Sequence, residues 1–233
     1  MTNALERGDI DEAGRQGVLA GPAIVEKGLA SPKRSTRLAA IAASVAVDDR
    51  AELLPALAVQ ASSADRRTAI PAALAARTIA RELAKNELAD DLGPDDIATW
   101  RALFEQVAGN QRRFIEVRVL ALDTVSSLAT VVDPTSLGFD LNVALKDPDP
   151  ALRAAAVQLV PRPTPAALRQ PLAAAVLGDA DNKVALGAAQ ALCGDDRVAA
   201  QALLGAQGIA RVRKLVLGVP RRATRDANRC LAK

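Results

Sequence analysis

Histidine and tyrosine are missing from this 233-residue sequence, and other aromatic residues are scarce, with one tryptophan and three phenylalanines. Histidine is the commonest general base and the commonest metal ligand. Its absence argues against zinc sites and against hydrolases that activate a nucleophile with an imidazole. β-Sheet cores usually draw on aromatic side chains, whereas alanine, a strong helix former, is abundant here. The composition therefore predicts an all-α fold.

Sequence motifs of common enzyme classes are absent as well. No Walker A, G-x-G-x-x-G or G-x-S-x-G pattern occurs. We therefore predict a protein that is not an enzyme and that has no catalytic residues, no bound metal and no cofactor.

Long apolar runs are also missing. The longest clean run, Leu38 to Val47, is much shorter than the roughly 18 residues that a membrane helix needs. The first thirty residues carry Glu6, Asp9, Asp11 and Glu12 and show no apolar segment typical of a signal peptide. We expect no membrane insertion and, by default, a cytoplasmic location.

The stretch LKDPDPALRAAAVQLV, which begins at Leu145, has the pattern of a helix start. Asp149 can accept hydrogen bonds from the free amides of the first turn, and Pro150 suits the first helical position. Leu152 and the alanines after it recur at helical spacing and make one apolar face. A related pattern, LGDADNKVALGAAQAL, follows about one helical hairpin later and begins at Leu177.

Similar units occur elsewhere in the chain. Aligned on Asp147, they begin at Ser31, at Asp179 and around Pro220, and more loosely at Ser62 and Arg112. The spacing is 31 residues from Ser31 to Ser62 and 32 residues from Asp147 to Asp179. A period in this range is typical of stacked helical hairpins, since one hairpin cannot bury its apolar face alone.

The Asp-Pro step, the arginine six residues after the aspartate and the trailing alanines resemble HEAT repeats, in particular the short bacterial HEAT-like type. The resemblance implies an armadillo-like right-handed α-α superhelix of about five to seven hairpins, forming one domain over residues 1–233. It further implies a hydrogen-bonded ladder between hairpins. The implied ladder residues are Asp147 and Arg153, with Arg37, Arg118 and Arg225 as partial counterparts. Because Ala185 stands where Asp179 should have its arginine, we expect a broken ladder at that step.

An acidic insertion near residues 84–97 departs from the period. It contains five carboxylates, Glu87, Asp90, Asp91, Asp95 and Asp96. Their spacing does not match a calcium loop, so the loop is interpreted as solvated or as a docking site for a basic partner. A helix is predicted from about Asp96 to Val107.

The C-terminal segment 197–233 is strongly basic, with nine lysines and arginines against Asp226 alone. Its net charge is +8, and that of residues 1–196 is −5. One interpretation is a solvated cap on the last repeat, and the other is a surface for an acidic partner. The candidate contacts are Arg211, Arg213, Lys214, Arg221, Arg222, Arg225 and Arg229, together with Glu87, Asp90 and Asp91 of the acidic insertion.

Cys193 and Cys230 lie 37 residues apart, about one repeat, and each falls near the end of a predicted inner helix. Stacked hairpins could therefore bring them together as a disulfide, which would imply a periplasmic or extracellular location and a removed signal peptide. The alternative is two buried free thiols. Since no export signal is visible, we favour free thiols slightly.

The prediction for function is a monomeric, non-enzymatic scaffold or adaptor that binds a protein or peptide on the concave surface of a HEAT-like solenoid. The alternative is nucleic-acid binding through the basic C-terminal repeats, which requires their arginines to share one face. A HEAT-like DNA glycosylase is a weaker candidate. It requires a pocket at Trp100 that contains a carboxylate with a raised pKa.

Overall fold

The computed structural model describes residues 4, 7, 12, 21–85, 92–132 and 141–232. Over these residues the secondary structure is helical with no strand, which confirms the all-α prediction. Two 3₁₀ turns, Arg50–Leu53 and Arg221–Thr224, accompany the α-helices. The α-helices are α1 (Pro22–Leu29), α2 (Arg34–Ser44), α3 (Leu54–Ala61), α4 (Arg66–Ala84), α5 (Pro94–Gly109), α6 (Ile115–Val132), α7 (Leu141–Leu145), α8 (Pro150–Gln158), α9 (Ala166–Gly178), α10 (Asn182–Asp195), α11 (Arg197–Val216) and α12 (Arg225–Arg229).

The chain divides into two compact units, residues 1–139 and residues 140–233. The sequence pattern predicts a single repeat domain over 1–233, and that remains a prediction. Each unit is described below by itself.

The first unit contains three consecutive helix pairs, α1 with α2, α3 with α4, and α5 with α6. Neighbouring pairs contact each other through equivalent helices: α1 touches α3 and α3 touches α5, while α2 touches α4 and α4 touches α6. The unit therefore has an odd layer (α1, α3, α5) and an even layer (α2, α4, α6). The core lies between the two layers.

The second unit repeats this arrangement. Its pairs are α7 with α8, α9 with α10, and α11 with α12. The odd layer is α7, α9 and α11, and the even layer is α8, α10 and α12, with each helix in contact with the next one of its own layer. Every described pair is thus covered by its sequence neighbour, as the repeat period predicts.

Small side chains allow the helices of the even layer to approach closely. In α4, Ala69, Ala72, Ala73, Ala76 and Ala80 are all 0% exposed. Alanine is the best helix former and takes little space, so one helix can pack against α2, α3 and α6 at once. The alanine excess in the sequence therefore serves the stacking.

Proline and glycine shape two of the longer helices. Pro71 is the sixth residue of α4 and Pro171 the sixth of α9, so Pro171 lies inside its helix rather than near the start, where the sequence pattern placed it. In α11, Gly205 has φ 59° and ψ −171° and divides the helix by a kink. A positive φ at this point suits glycine, which has no Cβ.

Candidate binding grooves and the turns that place them

A side-chain turn precedes the even helix of four of the six hairpins. The side-chain oxygens of Ser31, Ser63, Asp147 and Asp179 each accept the backbone N–H two residues later, at 3.2, 3.1, 2.9 and 2.9 Å. In each case the even helix begins three residues after the turn residue. The period is 32 residues in both units, so the turn residue is Ser63 and not Ser62, on which the sequence alignment was based.

An arginine is the fourth residue of α2, α6 and α8. In α2, the Nη1 of Arg37 donates to the carbonyl oxygens of Ser31 and Pro32, at 2.8 and 2.9 Å. In α8, the Nη1 of Arg153 donates to the carbonyl oxygens of Asp147 and Pro148, at 2.8 and 3.0 Å. The two arginines thus close the same turn in the two units.

Arg153 also reaches the next hairpin. Its Nε and Nη2 donate to the two carboxylate oxygens of Asp179, at 2.8 and 2.9 Å. The pair is largely buried, with side-chain exposures of 16% and 6%. The Arg153 hydrogen bonds hold the pKa of the Asp179 carboxyl below its usual value, and Asp179 in turn raises the pKa of Arg153. Such a bidentate pair fixes both distance and orientation between hairpins.

The fourth position of α10 is Ala185, so Asp179 has no arginine of its own. Its carbonyl oxygen instead accepts a hydrogen bond of 2.6 Å from the Nη2 of Arg211, which comes from α11. Arg211 thus takes over part of the missing contact, and it does so from the odd layer rather than the even one. The resemblance to HEAT repeats did not predict this substitution.

The two remaining ladder candidates lie in different surroundings. Arg118, the fourth residue of α6, is 4% exposed, and its Nε donates to the carbonyl oxygen of Ala108 at 2.9 Å. Arg225 opens α12 and is exposed, with no hydrogen bond or ion pair to any residue that the structure describes. Arg118 therefore belongs to the interior of its hairpin, and Arg225 does not join its hairpin to a neighbour.

A groove in the second unit opens between the start of α10 and the end of α11. Its volume is about 430 Å³, within the usual range of ligand-binding clefts. Three cationic side chains and one amide line it, together with four apolar side chains. The lining residues are Asn182, Lys183, Leu186, Arg211, Lys214, Leu215, Leu217 and Val219. We call this surface the α10–α11 groove.

The first unit has grooves of a different chemistry, one in each layer. The α2–α4 groove, about 410 Å³, is lined by apolar side chains and a single hydroxyl. Its residues are Leu38, Ile41, Ala42, Val45, Pro71, Leu74, Ala75 and Thr78. The groove between α1, α3 and α5, about 420 Å³, is also mainly apolar but adds Glu26 and Gln60. Both lie where successive hairpins meet.

The basic candidates of the C-terminal segment do not share one role. Arg211 donates to the Asp179 carbonyl, and Arg229 donates to the carbonyl of Gly194. Lys214 lines the α10–α11 groove. The other candidates are exposed and do not line that groove: Arg213, Arg221, Arg222 and Arg225. Two of the seven side chains are thus engaged in holding the unit together.

The acidic insertion is only partly described, and the candidates Glu87, Asp90 and Asp91 lie outside the described residues. Asp95 and Asp96 fall in the first turn of α5, where the helix dipole stabilises carboxylates. This helix runs from Pro94 to Gly109, which confirms the predicted helix with slightly wider limits.

Trp100 and Phe104 both belong to the core, with exposures of 6% and 0%. The carboxyl near them in sequence, Glu105, has a raised pKa because burial disfavours its charged form, an effect partly offset by Arg101. Glu105 and Arg101 lie 3.3 Å apart on the same helix. The tryptophan thus fills space between helices, as its helical spacing to Phe104 predicts.

Cys193 and Cys230 form a disulfide, with a Cα–Cα distance of 5.4 Å. Cys193 lies near the end of α10, and Cys230 directly follows α12. Both are buried, so the structure has the bridge rather than the two free thiols that we slightly favoured. The bond joins the last two helices of the even layer.

No helix within the described ranges has the length and apolar character required to cross a bilayer. Comparison with known proteins adds no family. No protein-family model matches the sequence, and no curated protein matches it. Functional inference therefore has to start from the turns and grooves themselves.

Proposed function

We propose that the chain is a HEAT-like repeat protein that binds a protein partner and performs no chemistry on it. In this proposal the hairpins form a right-handed superhelix, with the even helices along its concave surface. The paired layers, the 32-residue period and the arginine at the fourth helical position support it. Each of these features resembles HEAT repeats in local geometry.

The observation that carries the proposal is the α2–α4 groove. It lies between two neighbouring even helices, and Val45 and Leu74 on its rim remain 37% and 43% exposed. Apolar side chains in a concave surface lose free energy when a partner covers them. A partner that offers apolar side chains on a helix or an extended segment fits this groove.

Nucleic-acid binding has less support. It requires the basic side chains of the last repeats to point to one phosphate path, whereas Arg211 and Arg229 are turned toward backbone carbonyls of the same unit. Bases also bind preferentially against aromatic side chains, and residues 197–233 contain none.

The disulfide supports an oxidising compartment as the site of action, because cytosolic thiols are normally kept reduced. We therefore propose a periplasmic or extracellular location in place of the cytoplasmic default. A thiol assay on protein isolated under alkylating conditions tests this. Two reactive thiols per chain would contradict the proposal.

Partner binding can be tested with Leu74→Asp, which places a charge in the α2–α4 groove. A matched control is Val198→Asp, at a valine that is 69% exposed and lies outside the groove. A partner is captured with the wild-type chain, identified, purified and titrated against all three proteins. We expect Leu74→Asp to bind at least about tenfold more weakly, with Val198→Asp unchanged.

Equal affinity of the partner for wild type and for Leu74→Asp would contradict binding in this groove. Recovery of nucleic acid in place of a protein would contradict the proposed function itself. Circular dichroism of each variant confirms that the helices are retained.

A further inference from the structure

The α10–α11 groove combines positive charge with apolar surface. Lys183 stands in the first turn of α10, and Arg211 and Lys214 stand in the last turns of α11. Leu186 and Leu215 are half-buried between them, and these leucines make the apolar part of the lining. The side chains come from two hairpins, so the groove exists only when the hairpins are stacked.

The positive charge of this groove is not neutralised by its surroundings. The nearest carboxylates along the chain are already engaged, since Asp179 pairs with Arg153 and Asp181 caps α10 by accepting from the N–H groups of Lys183 and Val184. Neither Lys183 nor Lys214 forms an ion pair with any carboxylate in the described ranges. The groove therefore presents cations that an anionic ligand can approach.

Arg211 has hydrogen-bonding capacity left after its contact with the chain. Its Nη2 binds the carbonyl of Asp179, but its Nε is buried and has no hydrogen-bond acceptor within the described part of the chain. A buried donor without an acceptor is costly. A carboxylate placed in the groove would supply the acceptor.

An exposed leucine stands at the edge of the groove. Leu217 is 73% exposed and is the second residue of a tight turn, in which the N–H of Val219 donates to the carbonyl of Val216 at 3.3 Å. The third residue, Gly218, has φ 78°, a conformation that glycine adopts without strain and that this type of turn requires. The backbone thus holds an apolar side chain in solvent beside the three cations.

We propose that the α10–α11 groove binds an extended segment of a partner protein in which an acidic side chain stands next to an apolar one. The inference rests on the proposed function and adds a second contact surface with a stated ligand chemistry. The acidic side chain pairs with Lys183 and Lys214 and accepts from the Nε of Arg211. The apolar side chain packs on Leu186, Leu215 and Leu217.

A peptide fits this groove better than nucleic acid does. Half of the lining residues are apolar, which a phosphate backbone would leave uncovered. None of the lining residues is aromatic, so bases would find no stacking surface. Complementary charge together with an apolar anchor is the usual composition of a peptide site.

The test is a selection from a library of random dodecapeptides displayed on phage, with the full chain as the target. Selected peptides are synthesised with a fluorophore, and their affinity is measured by anisotropy. The groove variants are Lys183→Glu combined with Lys214→Glu, and Leu217→Ser alone. The control combines Lys27→Glu with Lys146→Glu, two exposed lysines outside the groove, and changes the net charge equally. A single-stranded oligothymidine of similar length is the nucleic-acid probe.

We expect the selected peptides to be enriched in aspartate or glutamate adjacent to leucine, isoleucine, valine or phenylalanine. Binding to the double lysine variant should be at least about tenfold weaker, binding to Leu217→Ser should be severalfold weaker, and the control should bind like wild type. Replacing the acidic residue of a peptide by its amide should cause a similar loss.

Three outcomes would overturn the inference. The first is that no peptide is enriched over a selection against the double lysine variant. The second is that selected peptides bind this variant as well as wild type but lose affinity for Leu74→Asp. That result would leave the proposed function in place and move the contact to the α2–α4 groove. The third is that oligothymidine binds more tightly than any peptide and is lost in the double lysine variant.

Discussion

The two units build the same turn from different residues, and this difference decides whether neighbouring hairpins are linked by a polar contact. The first unit uses Ser31 and Ser63, and the second uses Asp147 and Asp179. A serine hydroxyl is consumed by the N–H two residues later. A carboxylate can make that hydrogen bond and still accept both arms of an arginine.

The arginines show the consequence. Within the described residues, Arg37 bonds only to carbonyls of its own hairpin, whereas Arg153 bonds to its own hairpin and to Asp179 of the next one. The second unit adds the Cys193–Cys230 disulfide between the two hairpins after that. The first unit is therefore held mainly by apolar packing, and the second also by polar and covalent links.

Removing the disulfide should have the largest effect. Replacing both Cys193 and Cys230 by alanine opens a loop with a sequence separation of 37 residues, worth about 4 kcal/mol of unfolding free energy in the second unit. Hydrogen exchange followed by mass spectrometry measures this for α10 to α12, with α2 and α4 as the internal reference. Reduction of the wild type should give the same change. Unaltered exchange in α10 to α12 would contradict it.

Replacing the turn arginines should separate the two units next. Arg153→Met keeps the apolar stem but leaves the buried Asp179 carboxylate without its partner, and we expect a loss of about 3 kcal/mol. Arg37→Met removes only hydrogen bonds to carbonyls, and we expect about 1 kcal/mol. Denaturant unfolding of both variants gives the comparison. Equal losses would mean that the Asp179 contact adds nothing to the second unit.

Transferring the carboxylate to the first unit should have the smallest effect. Ser63 occupies the position equivalent to Asp179, 32 residues after its predecessor in each unit. Ser63→Asp should therefore offer Arg37 an inter-hairpin partner and raise the unfolding free energy by about 0.5–1 kcal/mol. The matched control is Ser63→Asp in the Arg37→Met background, where no gain is expected. A similar gain in both backgrounds would point to helix capping alone.

The sequence was sufficient to predict the helices, the period and the role of Asp149, because these depend on local patterns of capping and apolar spacing. The turn at Ser63 was misaligned by one residue because two serines stand side by side. The contact from Arg211 to Asp179 could not be predicted, since it joins two layers across 32 residues. The α10–α11 groove was missed for the same reason, although the Leu217–Gly218 step is a visible turn signal.

The account depends most on the statement that Arg153 and Asp179 hold neighbouring hairpins together. The direct measurement is a double-mutant cycle with Arg153→Met and Asp179→Asn, followed by denaturant unfolding at several pH values. The pKa of Asp179 is lower in the folded chain than its ordinary value of 3.8. The contribution of the pair is therefore complete well above pH 3.8 and is lost as the pH falls through the lower, folded-state pKa.

We predict a coupling free energy of about 1.5 kcal/mol or more at pH 7, unchanged down to about pH 5 and decreasing below the ordinary pKa of aspartate. Additive losses, with a coupling within about 0.4 kcal/mol of zero at pH 7, would contradict the account.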